Sequence, residues 1–262
     1  MSKKYKNKIC VYCVDRVATT GDHVIARSLL LKSRRANLPK VPACLACNQA
    51  KSELEHYLSL ILPFAGRHAD ARENLAAALP PRLAKNPSMQ SVLQRAMVPS
   101  WILDPSGLIV RTYTLPLDAD KLHQWCILVV RGLTWHHWRT LLPPDASFEI
   151  VIANPKADDI VGTLLTKRGR HRLDISLGEG TFAYQALQGA DSPLVAVWRL
   201  HLYGGISLGG ADPRIRSSEV GVLVAPRRVG EIADYWLKRQ AASLVLAPTA
   251  HSLIVRPPTP RR

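Results

Sequence analysis

The chain has 262 residues, 47% of them apolar and 21% charged, with 35 Lys and Arg against 20 Asp and Glu, a formal charge of +15. That composition excludes a disordered polymer and predicts a folded chain of one or two domains. The longest apolar runs, "CILVV" and "LSLILPFA", fall far short of the roughly 20 residues that span a bilayer, and the sign of the charge favours a polyanionic partner, most commonly nucleic acid.

The opening "MSKKYKNKIC" is basic and no apolar stretch follows it, so no signal peptide is read there and a cytoplasmic location is expected. Residues 1–9 carry four lysines and read as a mobile arm. Cys10, Cys13, Cys44 and Cys47 form two C-x2-C pairs with 30 residues between them. In a reducing compartment such pairs point to a metal rather than to disulfides. Four thiolates at tetrahedral positions satisfy a zinc ion and leave no open position on it, so this zinc is expected to be structural. Cys126, in the run "HQWCILVV", reads as an inert buried thiol.

Between the two pairs, "ATTGDHV" reads as a strand and turn carrying Asp22 and His23. After them, "NQAKSELEHYLSLIL" reads as a helix with Leu54, Leu58 and Ile61 on one face and Asn48 in its first turn. A zinc knot would draw Asn48 towards the hairpin that holds Asp22 and His23. Carboxylate and amide oxygens are hard ligands suited to Mg2+ or Mn2+, and a neutral imidazole beside such an ion can deprotonate water. That combination is what phosphodiester hydrolysis needs. Arg27, Lys32, Arg34, Arg35, Lys40 and Lys51 cluster in the same segment and are expected on nucleic-acid phosphates, with Lys51, one helical turn after Asn48, the leading candidate. Glu53, Glu55 and His56 read as helix surface, with a supporting metal role the alternative for Glu55.

Together, C-x2-C, "DHVIARSL" and "NLPKVPACLACNQAKS" resemble the HNH endonuclease (ββα-metal) family, in the version tied by a zinc on four cysteines. The resemblance covers about a fifth of the chain. It implies that His23 is the general base, that Asp22 and Asn48 hold a catalytic Mg2+ or Mn2+, and that Asn37 keeps the catalytic loop in shape. The sequence departs from many members in having Ala26 for proline, Pro39 where the middle asparagine often stands, and Asn48 for histidine.

Further along, "ADARENLAAAL" and "SMQSVLQRAM" read as helices separated by a proline-rich break, "PPRLAKNP". A strand over "GLIVRTYTL" and a long apolar helix over "DADKLHQWCILVVRGLTWHHWRTLL" come next. Within that helix, His136 and His137 lie between Trp135 and Trp138 and read as core rather than as a second site. Strands follow over "SFEIVIA", "HRLDISL", "TFAYQAL", "LVAVWRLHLYG" and "VGVLVAP", then a helix over "VGEIADYWLKRQAASLVL" and a flexible end, "RPPTPRR". The segments "VVRGLTWHHW" and "WRLHLYGGISL" resemble the region that follows such fingers in HNH proteins, a likeness that names no ligand.

The expected architecture is α+β: an HNH ββα-metal zinc module over residues 1–65, a helical connector over 66–100, an α+β domain with an antiparallel sheet over 101–250, and a tail over 251–262. The expected function is metal-dependent hydrolysis of DNA phosphodiester bonds, in phage defence or in a mobile element. DNA is the expected partner, with RNA the alternative polymer and no membrane. A homodimer or larger complex is expected if both strands are cut, because one finger supplies one cutting site. The competing expectation is a non-catalytic zinc-finger nucleic-acid-binding protein or a scaffold in a nucleoprotein complex.

Overall fold

The computed structural model describes residues 3–5, 7–103, 108–152, 155–206, 219–226 and 251–255. Its first unit is a short antiparallel hairpin of β1 (Thr20–His23) and β2 (Lys40–Ala43), followed by helix α1 (Leu45–Ile61). Asp22 lies opposite Val41, and His23 opposite Lys40. The apolar spacing of α1 is realised as expected: Leu58 and Ile61 are fully buried and Leu54 packs at the edge of the core. The lysine-rich start departs from the expected arm, because Lys3–Tyr5 form a 3-10 turn and Tyr5 is buried. The Tyr5 ring lies on Gly21, where an added Cβ would come within 2.5 Å of it, and its hydroxyl donates to the Lys40 carbonyl at 3.3 Å. One buried aromatic is enough to dock this stretch on the hairpin.

The connector holds α2 (Ala69–Glu73), a π turn (Asn74–Ala78), α3 (Leu79–Ala84) and α4 (Pro87–Ala96). Pro80 and Pro81 were expected to break the chain, but they sit in the first turn of α3. They are carried within one helical run over residues 69–84, directly after the π turn, where the Leu79 N–H reaches back to the Asn74 carbonyl. The break falls at residues 85–86 instead.

Strand β3 (Val98–Leu103) was not expected; it pairs with β4 (Ile109–Leu117) at one edge of a three-stranded sheet. Pro99 hid it, although proline is tolerated on an edge strand. The opposite edge is a strand at His251–Val255, expected as the start of the tail, which pairs antiparallel with β4. The helix expected over "VGEIADYWLKRQAASLVL" and the end "RPPTPRR" lie outside the described residues.

Helix α5 (Ala119–Trp138) is the central beam. Asp118 caps it by accepting the Lys121 N–H at 3.1 Å, and it ends on Arg139 in the left-handed region. One side of α5 meets α1 and β2; the other meets a five-stranded antiparallel sheet. That sheet contains β5 (Ser147–Ile152), β6 (Gly169–Leu177), β7 (Phe182–Gly189), β8 (Ala196–Leu202) and β9 (Glu219–Ala225), in the order β5-β9-β8-β7-β6. Along β8, Ala196, Trp198, Leu200 and Leu202 point inward in strict alternation. Trp125 meets Phe182 edge-on at 6.3 Å, and Trp138 meets Trp198 at 4.9 Å. Helix α6 (Pro155–Thr166), which was not expected, packs on β7, β8 and β9, with Val161, Leu165 and Leu187 forming a small second cluster.

The fold is therefore α+β with an antiparallel sheet, as the strand and helix patterns suggest. A single hydrophobic cluster runs from Cys10, Val24 and Ile25 through Leu58 and Trp125 to Trp198 and Val222, across all three expected units. Each large side chain fully buried there contributes about 1.5–3 kcal/mol, so the hairpin module and the sheet share one core. Among the described residues, no helix is long and apolar enough to cross a membrane.

Candidate metal centre and active site

The first cysteine pair sits in a tight knuckle. Ile9 bridges to Val17, the Cys10 N–H donates to the Arg16 carbonyl at 2.9 Å, and the Val14 N–H donates to the Cys10 carbonyl at 2.9 Å. Val14 is held at φ 56°, a conformation that β-branched residues rarely adopt. The Val11 N–H donates to the Pro42 carbonyl at 3.1 Å and ties this knuckle to β2. The second pair opens α1: Cys44 is its N-cap and Cys47 lies in its first turn, where burial first, then the Cys44 and Cys10 sulfurs, raise the Cys47 thiol well above its ordinary value.

The sulfurs of Cys10, Cys13, Cys44 and Cys47 all lie within 4.8 Å of one another, and Cys13 and Cys44 are 4.0 Å apart. A tetrahedral ion with bonds of about 2.3 Å places its sulfurs about 3.8 Å apart, so the four cysteines could hold a metal ion such as zinc. Burial raises the Cys10 thiol, whereas Cys13 falls to about 7: burial raises it too, but the Arg16 and Asp15 amides and the Cys10 and Cys47 sulfurs outweigh that. Cys126 stands apart, fully enclosed, with burial pushing its thiol up to about 12, as an inert core thiol should be.

In the second turn of α1, Lys51 is fully buried. Its ammonium lies 3.0 Å from Asp22 Oδ2, donates to the His23 carbonyl at 2.8 Å and pairs with Glu55. The same Asp22 oxygen accepts the Tyr12 hydroxyl at 2.5 Å. Lys51 is therefore no phosphate contact: the residue expected to lead on the nucleic acid is an internal strut, because its stem is long enough to reach the end of β1. Glu55 is likewise part of this cluster rather than plain helix surface. Burial pushes its carboxyl up to about 7, Asp22 adds to the effect and Lys51 opposes it. Tyr12 was missed in the sequence; it lies inside the "CVYC" knuckle, where only the spacing of the cysteines draws notice. Burial first and Asp22 second raise its phenol well above the ordinary value.

Asp22 and His23 are the last two residues of β1, and His23 is near enough to Asp22 and Lys51 for both charges to act on its imidazole. Asp22 is buried against α1, and His23 is half-buried opposite Lys40. Burial, then Lys40 and Arg27, lower the His23 imidazole below its ordinary value, which favours the neutral form. Asn48 is half-buried, and its N–H closes the first turn of α1 on the Cys44 carbonyl at 3.0 Å. Being three residues before Lys51, it shares the helix face that meets Asp22. Asn37 is exposed in the loop before β2 at φ 56°, a turn conformation that asparagine tolerates.

Among the other basic residues, Arg27, Lys32 and Lys40 are exposed. Arg34 and Arg35 do not stand free as expected. Arg34 pairs with Asp70 at 3.1 Å and with Glu179, and Arg35 Nε donates to the Leu30 carbonyl at 3.0 Å. His136 and His137 stack at right angles 4.9 Å apart, and a His137 ring nitrogen bonds the Tyr184 hydroxyl at 2.8 Å. This is core packing, as expected. No family model, curated protein or solved structure matches the chain.

Proposed function

We propose that the ββα module is a metal-dependent endonuclease of the HNH type, hydrolysing DNA phosphodiester bonds, with zinc on Cys10, Cys13, Cys44 and Cys47 fixing its scaffold. The observation that carries the reading is the placement of Asp22. One carboxylate oxygen is anchored by Tyr12 and Lys51, while Oδ1 has no hydrogen-bond partner among the described residues. An anchored carboxylate with one oxygen to spare, on the helix face shared by Asn48, suits a hard divalent cation. Mg2+ or Mn2+ held there would neutralise charge developing on the scissile phosphate and the leaving oxygen.

His23 takes the proton from the attacking water; its depressed basicity keeps it neutral and ready near pH 7. Arg27 and Lys40, exposed on either side of it, hold the phosphate and orient the strand. Asn37 shapes the turn that leads into β2. Lys32 adds a more distant contact.

A second reading is favoured by the Lys51 ion pair itself: a lysine that already neutralises Asp22 makes the carboxylate structural, and the module a non-catalytic zinc-bound nucleic-acid binder. Digestion of supercoiled plasmid separates the two. Under the nuclease reading, wild-type protein nicks plasmid with Mg2+ or Mn2+, and His23→Ala loses cutting by about a hundredfold or more while keeping its zinc and its DNA affinity. Binding by both proteins, with no cutting in either cation, favours the binder.

A further inference from the structure

The loop between His23 and β2 is held mainly by residues far away in the chain. Its 3-10 turn, Arg27–Leu29, ends on the Leu29 carbonyl. That oxygen accepts the buried Tyr203 hydroxyl at 2.5 Å and Asn74 Nδ2 at 3.4 Å. Arg82 donates to the neighbouring Ser28 carbonyl at 3.3 Å. Five residues beyond Leu29, Arg34 is gripped by Asp70 at 3.1 Å and by Glu179. Gly178 lies so close to Leu30 that a Cβ there would come within 2.4 Å of its side chain.

The gripping groups are themselves braced. Asp70 is 1% exposed and accepts the Thr181 hydroxyl at 2.5 Å. Tyr203 sits just past β8 at φ 49°, donates its N–H to the Thr181 carbonyl at 2.6 Å, and accepts the amides of Arg67 and His68 at 2.8 and 2.7 Å. A side chain locked by its own backbone partners can set the position of what it touches. A buried hydroxyl that found no acceptor would be costly, so the Leu29 carbonyl is a strong anchor.

We propose that the sheet half of the chain, with the connector, is a clamp on the loop that follows His23, and that Tyr203 is a positioning residue that sets Arg27 against the substrate phosphate. This rests on the nuclease reading for its substrate, but not for the clamp. Leu29 is two residues from Arg27, and the Leu30 N–H donates to the Arg27 carbonyl at 3.3 Å, so the pinned carbonyl and the exposed guanidinium belong to one turn. A contact made equally to bound substrate and to the transition state changes KM rather than kcat.

The test uses Tyr203→Phe, which removes one hydroxyl and leaves the ring in place, with Asn74→Leu as a second variant. Hydrogen exchange reads the loop through the Leu29, Leu30 and Arg34 amides, which bond to Ala26, Arg27 and Leu31 carbonyls. The expected result is faster exchange at those amides with α1 unchanged, full zinc content, and KM for DNA raised about threefold to tenfold at near-constant kcat. Arg27→Ala should mask the effect, the double variant Arg27→Ala with Tyr203→Phe matching Arg27→Ala alone. Unchanged exchange over residues 27–34 in both variants overturns the clamp, as does uniform acceleration across the chain. Additive effects of Arg27→Ala and Tyr203→Phe overturn the positioning role. Wild-type protein that cuts no DNA ends the nuclease reading alone, and the exchange pattern still decides the clamp.

Discussion

Lys51 reaches across from α1 to place its ammonium 3.0 Å from Asp22 Oδ2, and no part of its side chain is exposed. This pair joins the helix that carries Cys47 to the strand that ends at His23. Removing one partner of a buried ion pair leaves the other uncompensated, at a cost of about 3–5 kcal/mol. Lys51→Met should therefore lower unfolding stability by roughly that amount, measured by urea denaturation of the zinc-loaded chain. A loss below about 1 kcal/mol, the level of a surface pair, would contradict the internal role.

Phosphate contact is expected elsewhere. Each lysine or arginine that neutralises a phosphate contributes about 0.9 to the slope of log affinity against log salt. Arg27→Ala and Lys40→Ala should each flatten that slope by about this amount, in fluorescence-anisotropy titrations across salt concentrations. Equal slopes for both variants and the wild type would remove these residues from the interface.

The four sulfurs predict a folding dependence on metal. Structural zinc in small modules supplies about 10–16 kcal/mol of apparent binding energy near neutral pH. Cys47→Ser should lose stoichiometric zinc and the amide protection of α1. Metal analysis showing one zinc per chain in Cys47→Ser would contradict the four-cysteine centre.

Gly132 brings α5 against the residue that follows His23. A Cβ there would meet both γ-carbons of Val24 at 2.8 Å. On helix propensity alone, alanine would gain about 1 kcal/mol over glycine. Overpacking a tight core costs about 1–3 kcal/mol, and the close contact is expected to win. Gly132→Ala should lower the thermal midpoint; a higher one would show that the two elements separate easily.

His137 gives the fold a pH dependence that owes nothing to the four-cysteine cluster. Burial, then His136 and Arg139, bring its imidazole down to about 4, while its ring bonds Tyr184. Above pH 6.5 the ring is neutral whether the chain is folded or not, so it contributes no slope. As pH falls from 6.5 towards 4 the unfolded chain takes up the proton first, and stability declines. Below about 4 this contribution is flat. His137→Gln should make stability decline less over that window, measured as urea midpoints. Parallel curves for variant and wild type would show that His137 is not responsible.

The four-cysteine cluster and the α1 periodicity were legible because cysteine spacing and apolar spacing are local signals. So was the α+β class, since β6 to β9 each carry readable strand patterns. Lys51 and Arg34 were misread for one reason: a basic residue near a suspected site looks like a phosphate contact until its partner is known. Those partners, Asp22 at the hairpin and Asp70 in the connector, are tertiary neighbours. The edge strand β3 was hidden by Pro99, and the strand at His251–Val255 by a pairing partner more than a hundred residues upstream. Tyr203 carries no motif; only the folded chain brings its hydroxyl to Leu29.

The central claim is a single divalent-cation pocket formed by Asp22 and Asn48 beside His23. Its most direct test is a Mn2+ titration of the zinc-loaded chain, followed by electron paramagnetic resonance of the free ion. The account predicts one Mn2+ bound per chain, weakened about tenfold or more by Asn48→Ala and by Asp22→Asn with zinc retained. No bound Mn2+, or binding that is indifferent to both substitutions, would contradict it.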